Sequence, residues 1–405
     1  MKIFHIADTH LGFSAYNKLD PDSGLNQREM DFYNAFERFV DIAVEKRPDL
    51  ILHAGDLFDS VRPTNRAISS ALDQLIRLSE AKIPIVLIAG NHETPRLRET
   101  GSVFRLFEHL EHVYPVYKSK YECIEFPEFD LKVHAVPHCM DANALQSSLE
   151  KLVPDREVMH NIAMLHAAIV GVSVFRSSEF NEQDVASGYL KPEFDYIALG
   201  HYHEFCKVDE NAYYSGSIER VNFLEAAHKS KGFIELELEL GNQHSGRAVV
   251  NDQDEHEIFY PEVTLHGLNT RPMVDLMPVD CSNIDKFQIG PEIIRRIEEV
   301  EPEEKILRLK ILNLPMEVYK SLDFNQFRKL TAAALHFELQ YDVTKDDQDT
   351  QVADIRFELL GNEFKSFISN QAIEGLDKEK LTSLGLDYLI AAGADLSGEG
   401  EELEE

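Results

Sequence analysis

Cysteine is scarce in this chain: Cys123, Cys139, Cys206 and Cys281 are its only four, and no C-x-x-C pair occurs. That scatter argues against a disulfide framework and a cysteine zinc site, and it predicts reduced thiols. Long apolar runs are missing too, since no stretch reaches the roughly 18 consecutive apolar residues of a membrane span. The N-terminal MKIFHIADTH runs straight into strand-like alternation, without signal-peptide architecture. Both absences predict no membrane association and a cytoplasmic location. Positive charge is the third shortage. Only 40 Lys and Arg stand against 72 Asp and Glu, a formal charge of −32, which disfavours non-specific polyanion binding over the whole surface. A local basic groove or a metal site stays compatible with it. Part of the acidity lies in GEGEELEE at 398–405, so residues 393–405 are expected to form an acidic, disordered tail.

What is present is a composition of 43% hydrophobic and 28% charged residues over 405 positions, that of a globular protein with two or three domains. Apolar runs alternate with helical patterns through the first half: 2–7 (KIFHIA), a helix around 28–46, 50–54 (LILHA), a helix around 64–80, 84–89 (PIVLIA) and a helix around 98–110. Further runs follow at 131–136, 161–165, 195–199, 212–215 and 232–240. The alternation predicts an α/β fold, a sheet with helices on its faces. The polar, turn-rich stretch 241–257 is the best linker candidate. Beyond it, runs at 274–279, 305–314 and 336–343 with helices near 290–300 and 323–335 predict a smaller α+β unit. Residues 364–392 suggest two short amphipathic helices without a core of their own, a pattern that suits docking on a partner. No internal repeat is evident.

The ends of the apolar runs carry the chemistry. IADTH brings Asp8 and His10, AGDLFD brings Asp56 and Asp59, IAGNHE brings Asn91 and His92, MLHA brings His166, and LGHYH brings His201 and His203. In an open α/β sheet the carboxyl ends of the strands share one edge, so residues far apart in the chain can converge. One such histidine alone would most simply be a core residue. Five strand ends in register are a different matter. Carboxylate, amide oxygen and imidazole without thiolate suit Mn²⁺, with Fe²⁺ or Zn²⁺ as rivals. The ligands are too many for one ion. Two ions bridged by a shared carboxylate are the usual clamp for a phosphate during in-line attack by a metal-bound hydroxide. Gly55, Gly90 and Gly200 each precede a ligand and would permit tight turns or close backbone approach.

In this order, D-x-H, GD-x-x-D, GNH-[ED], a lone H and GH-x-H resemble the calcineurin-like metallophosphoesterase superfamily. The wording HIADTHLG, AGDLFDSVRP, IAGNHE, ALGHYH and YSGSIER is similar to the nuclease subunit of DNA double-strand-break repair complexes, the SbcD and meiotic-recombination type. The resemblance covers residues 8–220. It implies a β-sandwich flanked by helices over 1–240, a DNA-capping α+β domain over 258–345, and a helical segment at 355–392 that binds an SbcC-like coiled-coil ATPase. It implies two Mn²⁺ ions, with Mg²⁺ also possible: one held by Asp8, His10, Asp56 and His203, the other by Asp56, Asn91, His166 and His201. His92 would be a non-ligand that contacts the scissile phosphate of duplex ends or single strands. An imidazole there can neutralise developing charge or deliver a proton near neutral pH.

Some family members carry histidine where this chain has Asp59, which is expected to cap the following turn or else to order a histidine beside it. Tyr16 and Lys18 after D-x-H, and Arg62, Arg66, Arg96 and Arg98 after GDLFD and GNHE, could touch DNA backbone, contacts that position without reading sequence. The stripes Ile68, Ala71, Leu72, Leu75, Ile76 and Val103, Phe104, Leu106, Phe107, Leu110 are most simply core. The family resemblance implies a homodimer through these helices near 64–80 and 98–110. The same metal site would serve a phosphatase or a cyclic-nucleotide phosphodiesterase, although protein phosphatases of the superfamily carry GD-x-V-D-R-G where this chain has GDLFDSV. A scaffold that tethers the ATPase to DNA and cuts little is the non-enzymatic alternative. His5, His53, His138, His160 and Cys206 match no ligand motif.

Overall fold

The computed structural model describes residues 1–95, 101–171, 183–228, 230–239, 247–250, 257–344, 368 and 378–391. Along the chain, β1 (Lys2–Ile6) leads into α1 (Gln27–Lys46), β2 (Leu50–His53), α2 (Asn65–Glu80), β3 (Ile85–Ile88) and β4 (Val113–Val116). Then come β5 (Glu122–Phe126), β6 (Leu131–Val136), α3 (Ala142–Leu149), β7 (His160–His166), the short pair β8 (Ala168–Ile169) and β9 (Asp184–Val185), β10 (Tyr196–Gly200), β11 (Cys206–Lys207), β12 (Ala212–Tyr214) and β13 (Gly232–Glu237). Two sheets of six strands result. The first runs in the order Val263–Gly267, β13, β1, β2, β3, β4, and the second in the order β11, β12, β10, β7, β6, β5. Within them β1 to β4 are parallel, as are β6, β7, β10 and β12.

The period of two along each strand decides which side chains meet. Ile3, Leu50, Leu52, Val86 and Ile88 of the first sheet face Val133, Ile162, Met164, Tyr196 and Ala198 of the second, all buried between the sheets. The alternate residues Phe4, Ile6, Ile51, Ile85 and Leu87 lie under α1 and α2. On the far side Ala163, Leu165, Ile197 and Leu199 pack with Leu149 of α3. The expected sandwich flanked by helices is what the chain forms, and burial on both faces explains its continuous apolar runs.

The helices start where side chains accept orphan amide protons. Asn26 accepts from the Arg28 and Glu29 amides to begin α1. Thr64 accepts from the Ala67 amide to begin α2. The buried face of α2 is Ala67, Ala71, Leu75 and Leu78; Ile68 and Leu72 are half-buried and Ile76 is exposed. The helix expected over 98–110 is a 3-10 helix, Val103–His109, with Phe104 and Phe107 buried and Leu106 exposed. Two aromatics three residues apart fit that tighter turn.

Part of the expected linker pairs as a hairpin, Arg247–Val250 with Glu257–Tyr260, and Val263–Gly267 then completes the first sheet against β13. Next comes a smaller sheet in which Ile306–Pro315 pairs with Met273–Asp275, Val279–Asp280 and His336–Thr344. Helix Ile289–Glu298 turns Ile289, Ile293 and Ile297 inward. Met1–Leu314 with Ser321–Asp342 make one compact unit; Pro315–Lys320 and Val343–Glu405 fall in a second, where helix Lys378–Ala391 is described. The tail expected at 393–405 and most of 355–392 lie outside the described residues. Among the described residues no helix is long and apolar enough to cross a membrane.

Candidate metal centre

Each candidate ligand sits just past a strand or closes it. Asp8 and His10 follow β1, Asp56 follows β2, Asn91 and His92 follow β3, His166 ends β7, and His201 and His203 follow β10. Because β1 to β3 belong to one sheet and β7 and β10 to the other, the rim is shared by two facing sheets rather than lying along one open edge. A main-chain bond crosses from the His138 amide to the Ala89 carbonyl (2.8 Å), and side chains supply further ones. The His201 amide donates to both Asp8 carboxylate oxygens, at 3.0 and 3.2 Å. His166 reaches the Ala54 carbonyl through Nδ1 (2.8 Å), and its Nε2 lies 2.9 Å from Asn91 Oδ1 and 3.3 Å from Asp56 Oδ2. His10 Nε2 is 3.0 Å from His203 Nε2. Ligand atoms of Asp8, His10 and His203 lie within 4.8 Å of one another, as do those of Asp8, Asp56 and His166 and those of His10, Asp59 and His92; Asp8 is common to the first two groups and His10 to the first and third. The His201 ring packs 5.4 Å from the His166 ring, centroid to centroid.

The backbone is bent to achieve this. Asp8, His10, Asp56 and His201 have φ of 52°, 42°, 53° and 104°, a region that L-residues rarely adopt. Such conformations cost about 1–3 kcal/mol each and collect at functional sites. Of the three glycines, Gly55 turns with φ 102°, and a Cβ on it would sit 2.2 Å from His166 Nδ1. Gly90 and Gly200 serve by lacking bulk: a Cβ would come 2.1 Å from Asp56 Oδ1 or 2.0 Å from the Ala54 carbonyl oxygen. The close approach they permit is to the protein's own ligand-bearing loops.

Electrostatically the centre is a buried pool of negative charge that attracts protons or cations. Burial pushes the Asp8 carboxyl up, against the pull of His166 and His203. Burial also acts to raise Asp56, but His166, His92 and His10 together outweigh it and hold that carboxyl well below its ordinary value. For His166 burial opposes charge, yet Asp56 and Asp8 raise its pKa to about 9. Imidazolium is thus what balances the carboxylates here, and divalent cations can take its place once the nitrogens deprotonate. The donor set fits such ions: buried carboxylates, an amide oxygen, and imidazoles, of which His166 is steered by the Ala54 carbonyl and His203 by Glu225.

Those second contacts include residues that the motifs did not reveal. Glu225 Oε1 accepts from His203 Nδ1 at 3.0 Å, and the Glu225 carboxylate also meets the Lys231 ammonium. Glu93, fully buried, accepts from the Leu57 and Gly90 amides (both 3.1 Å), and burial together with Asp56 drives its pKa well up. Asp59 places Oδ1 3.4 Å from His10 Nδ1 and 3.9 Å from His92 Nδ1, while its carbonyl accepts from His92 Nδ1 at 3.0 Å. The cap of α2 is Thr64, and Asp59 stands beside two histidines, as the second of its two expected roles requires. Glu93 stands inside the GNHE motif, but nothing local marks Glu225 or Lys231.

The expected DNA contacts are placed differently. Arg62 is exposed. Arg66 is paired with Glu29 at 3.1 Å. Tyr16 stacks on His336, ring centroids 4.0 Å apart, and Lys18 donates to the Ala334 carbonyl at 3.0 Å, so this loop is engaged by the smaller sheet. Arg96 and Arg98 lie outside the described residues. His5 bonds the Tyr196 hydroxyl and His53 the Thr9 hydroxyl, and burial lowers both imidazoles to about 3, leaving them neutral.

The model of the calcineurin-like phosphoesterase family matches residues 1–205. The DNA double-strand break repair protein Mre11 of Methanococcus maripaludis is 32% identical over 206 residues, 50% of this chain and 52% of that protein. Its namesake in Saccharolobus solfataricus is 32% identical over 205 residues (50% and 49%), and that in Methanopyrus kandleri 30% over 259 residues (60% and 55%). This chain spans about half the length of these curated relatives. A solved purple acid phosphatase from yellow lupin seeds is 13% identical with a TM-score of 0.36, covering 58% of this chain and 48% of that one.

Proposed function

Since this chain belongs to the calcineurin-like phosphoesterase family, we propose that it is a Mn²⁺-dependent DNA nuclease of the double-strand-break repair class, hydrolysing phosphodiester bonds at DNA ends. The observation that carries the reading is the gathering of Asp8, His10, Asp56, Asn91, His166, His201 and His203 along one rim, in a chain whose relatives bear that repair name. In this reading Asp8, His10, Asp56 and His203 hold one cation and Asp56, Asn91, His166 and His201 the other. Bound there, two such ions supply Lewis acidity toward the phosphate and activate water for in-line attack. His92 lies at the mouth of the site, its side chain 30% exposed. It contacts the scissile phosphate and delivers a proton to the leaving oxygen, with its ring oriented by the Asp59 carbonyl.

The wider assembly follows the same reading. Residues 1–240 form the nuclease domain, 258–345 cap the DNA, and 355–392 bind an SbcC-like coiled-coil ATPase in the cytoplasm. A homodimer forms through α2 and residues 98–110, where Ile76 and Leu106 are exposed apolar side chains. Arg62 is exposed and would meet DNA backbone in this reading.

One assay tests the reading: linear duplex, single-stranded DNA and a generic phosphomonoester, each with Mn²⁺, Mg²⁺ or chelator, beside His92→Ala. DNA degradation that needs Mn²⁺ and disappears in the variant is expected. Cleavage of the monoester alone would make it a phosphatase, and inertness toward all three a scaffold. A full-affinity ATPase complex after deletion of 355–405 would overturn the docking site. A solution mass of one chain at micromolar concentration, unchanged on dilution, would overturn the dimer.

A further inference from the structure

We propose that Glu225 is a positioning residue of the metal centre, holding the His203 ring so that Nε2 faces the cation site, from a turn anchored in the smaller C-terminal sheet. The inference rests on the reading that His203 is a ligand. A carboxylate can only accept, so the 3.0 Å contact between Glu225 Oε1 and His203 Nδ1 places the proton on Nδ1 and the lone pair on Nε2. That Nε2 is the atom lying 3.0 Å from His10 Nε2, and His203 shares a candidate ligand group with His10 and Asp8.

Glu225 is itself held on every side. It is 3% exposed, takes a hydrogen bond from the Val221 amide at 3.2 Å, and meets Ser217 Oγ at 3.4 Å. Lys231, 2% exposed, joins Glu225 to the backbone of the ligand, donating also to the His203 carbonyl at 2.7 Å. Burying a carboxylate and an ammonium beside an imidazole is costly, and apolar side chains of similar volume would pack the same space more cheaply. Holding one ring nitrogen in place explains why the charges are there. The turn Phe223–Glu225 fixes the carboxylate from the other direction: Phe223 is buried against Met273, Ile306 and Leu335, and the Arg308 guanidinium lies 4.4 Å over its ring. The smaller sheet therefore reaches the metal centre two residues from its own core.

The test is calorimetric titration of the full chain with Mn²⁺ alone, in wild type, E225L/K231M and E225Q/K231M. Both double variants remove the buried charge pair, and the glutamine restores an acceptor for Nδ1. Mn²⁺ affinity about 10–100-fold weaker in E225L/K231M, largely recovered in E225Q/K231M, is expected. Equal affinity in wild type and E225L/K231M overturns the proposal, as does a loss that glutamine leaves unrepaired. Wild type that binds no Mn²⁺ brings down the metal reading itself, a separate result. Independently of folding in the variants, long-range ¹H–¹⁵N spectra of wild type loaded with Zn²⁺ should show His203 protonated on Nδ1; protonation on Nε2 overturns the inference.

Discussion

Gly90 stands where one added methyl group would strike the Asp56 carboxylate, at a position whose backbone places no demand on glycine. Gly90→Ala should therefore act by displacement alone. Mn²⁺ affinity is expected to fall at least tenfold, with a stability loss of about 1–3 kcal/mol, the usual cost of overpacking; calorimetry and urea unfolding would measure the two. His92 is the contrasting case: its side chain is 30% exposed, its ring lies 4.7 Å from that of His10, and its amide, which a substitution keeps, donates to Asp56 Oδ1 at 3.0 Å. His92→Ala should leave Mn²⁺ binding intact while lowering the rate of DNA cleavage by about 10²–10⁴, the range of a lost general acid. Loss of metal in this variant would make His92 a ligand instead.

At the level of elements, α1 and its sheet are held by a knot of rings: Phe4 packs 4.8 Å from Phe233, which meets Phe39 edge-on at 5.0 Å. Phe39→Ala is expected to cost about 3–5 kcal/mol in urea unfolding, as for other buried phenylalanines. Thr64→Ala should cost about 1 kcal/mol through the lost cap of α2. The central strands could be read from the chain because a strand buried on both faces is an unbroken apolar run, as in LILH and IVLI. The edge strands escaped such reading. VYPV carries Pro115, which suits β4 at the rim of its sheet, and ECIEF in β5 keeps polar residues on its wet side. The division of strands between two sheets also left no mark in the order of the chain. Ligands were legible because they adjoin strand ends; Glu225 was not, because its partner His203 lies 22 residues earlier and across an irregular turn.

For the molecule as a whole, the charge of −32 and the buried carboxylates of the rim act in the same direction. Self-repulsion weakens the folded state, so monovalent salt should raise the melting temperature of chelator-treated protein. Mn²⁺ at about a hundred times its dissociation constant should add about 2.7 kcal/mol per site, read as a melting shift that chelator reverses. A melting curve indifferent to both additions would contradict a cation site built from Asp8 and Asp56. At the rim the two sheets are tied by the His138 amide on the Ala89 carbonyl and by side-chain bonds, so whatever occupies it adds a further staple at one end of the sandwich. Once the staple is withdrawn, amide hydrogens near Ile6, His53, Leu165 and Leu199 should exchange with deuterated water faster than those at the opposite ends of the same strands, so that the sandwich loosens from its catalytic edge inward.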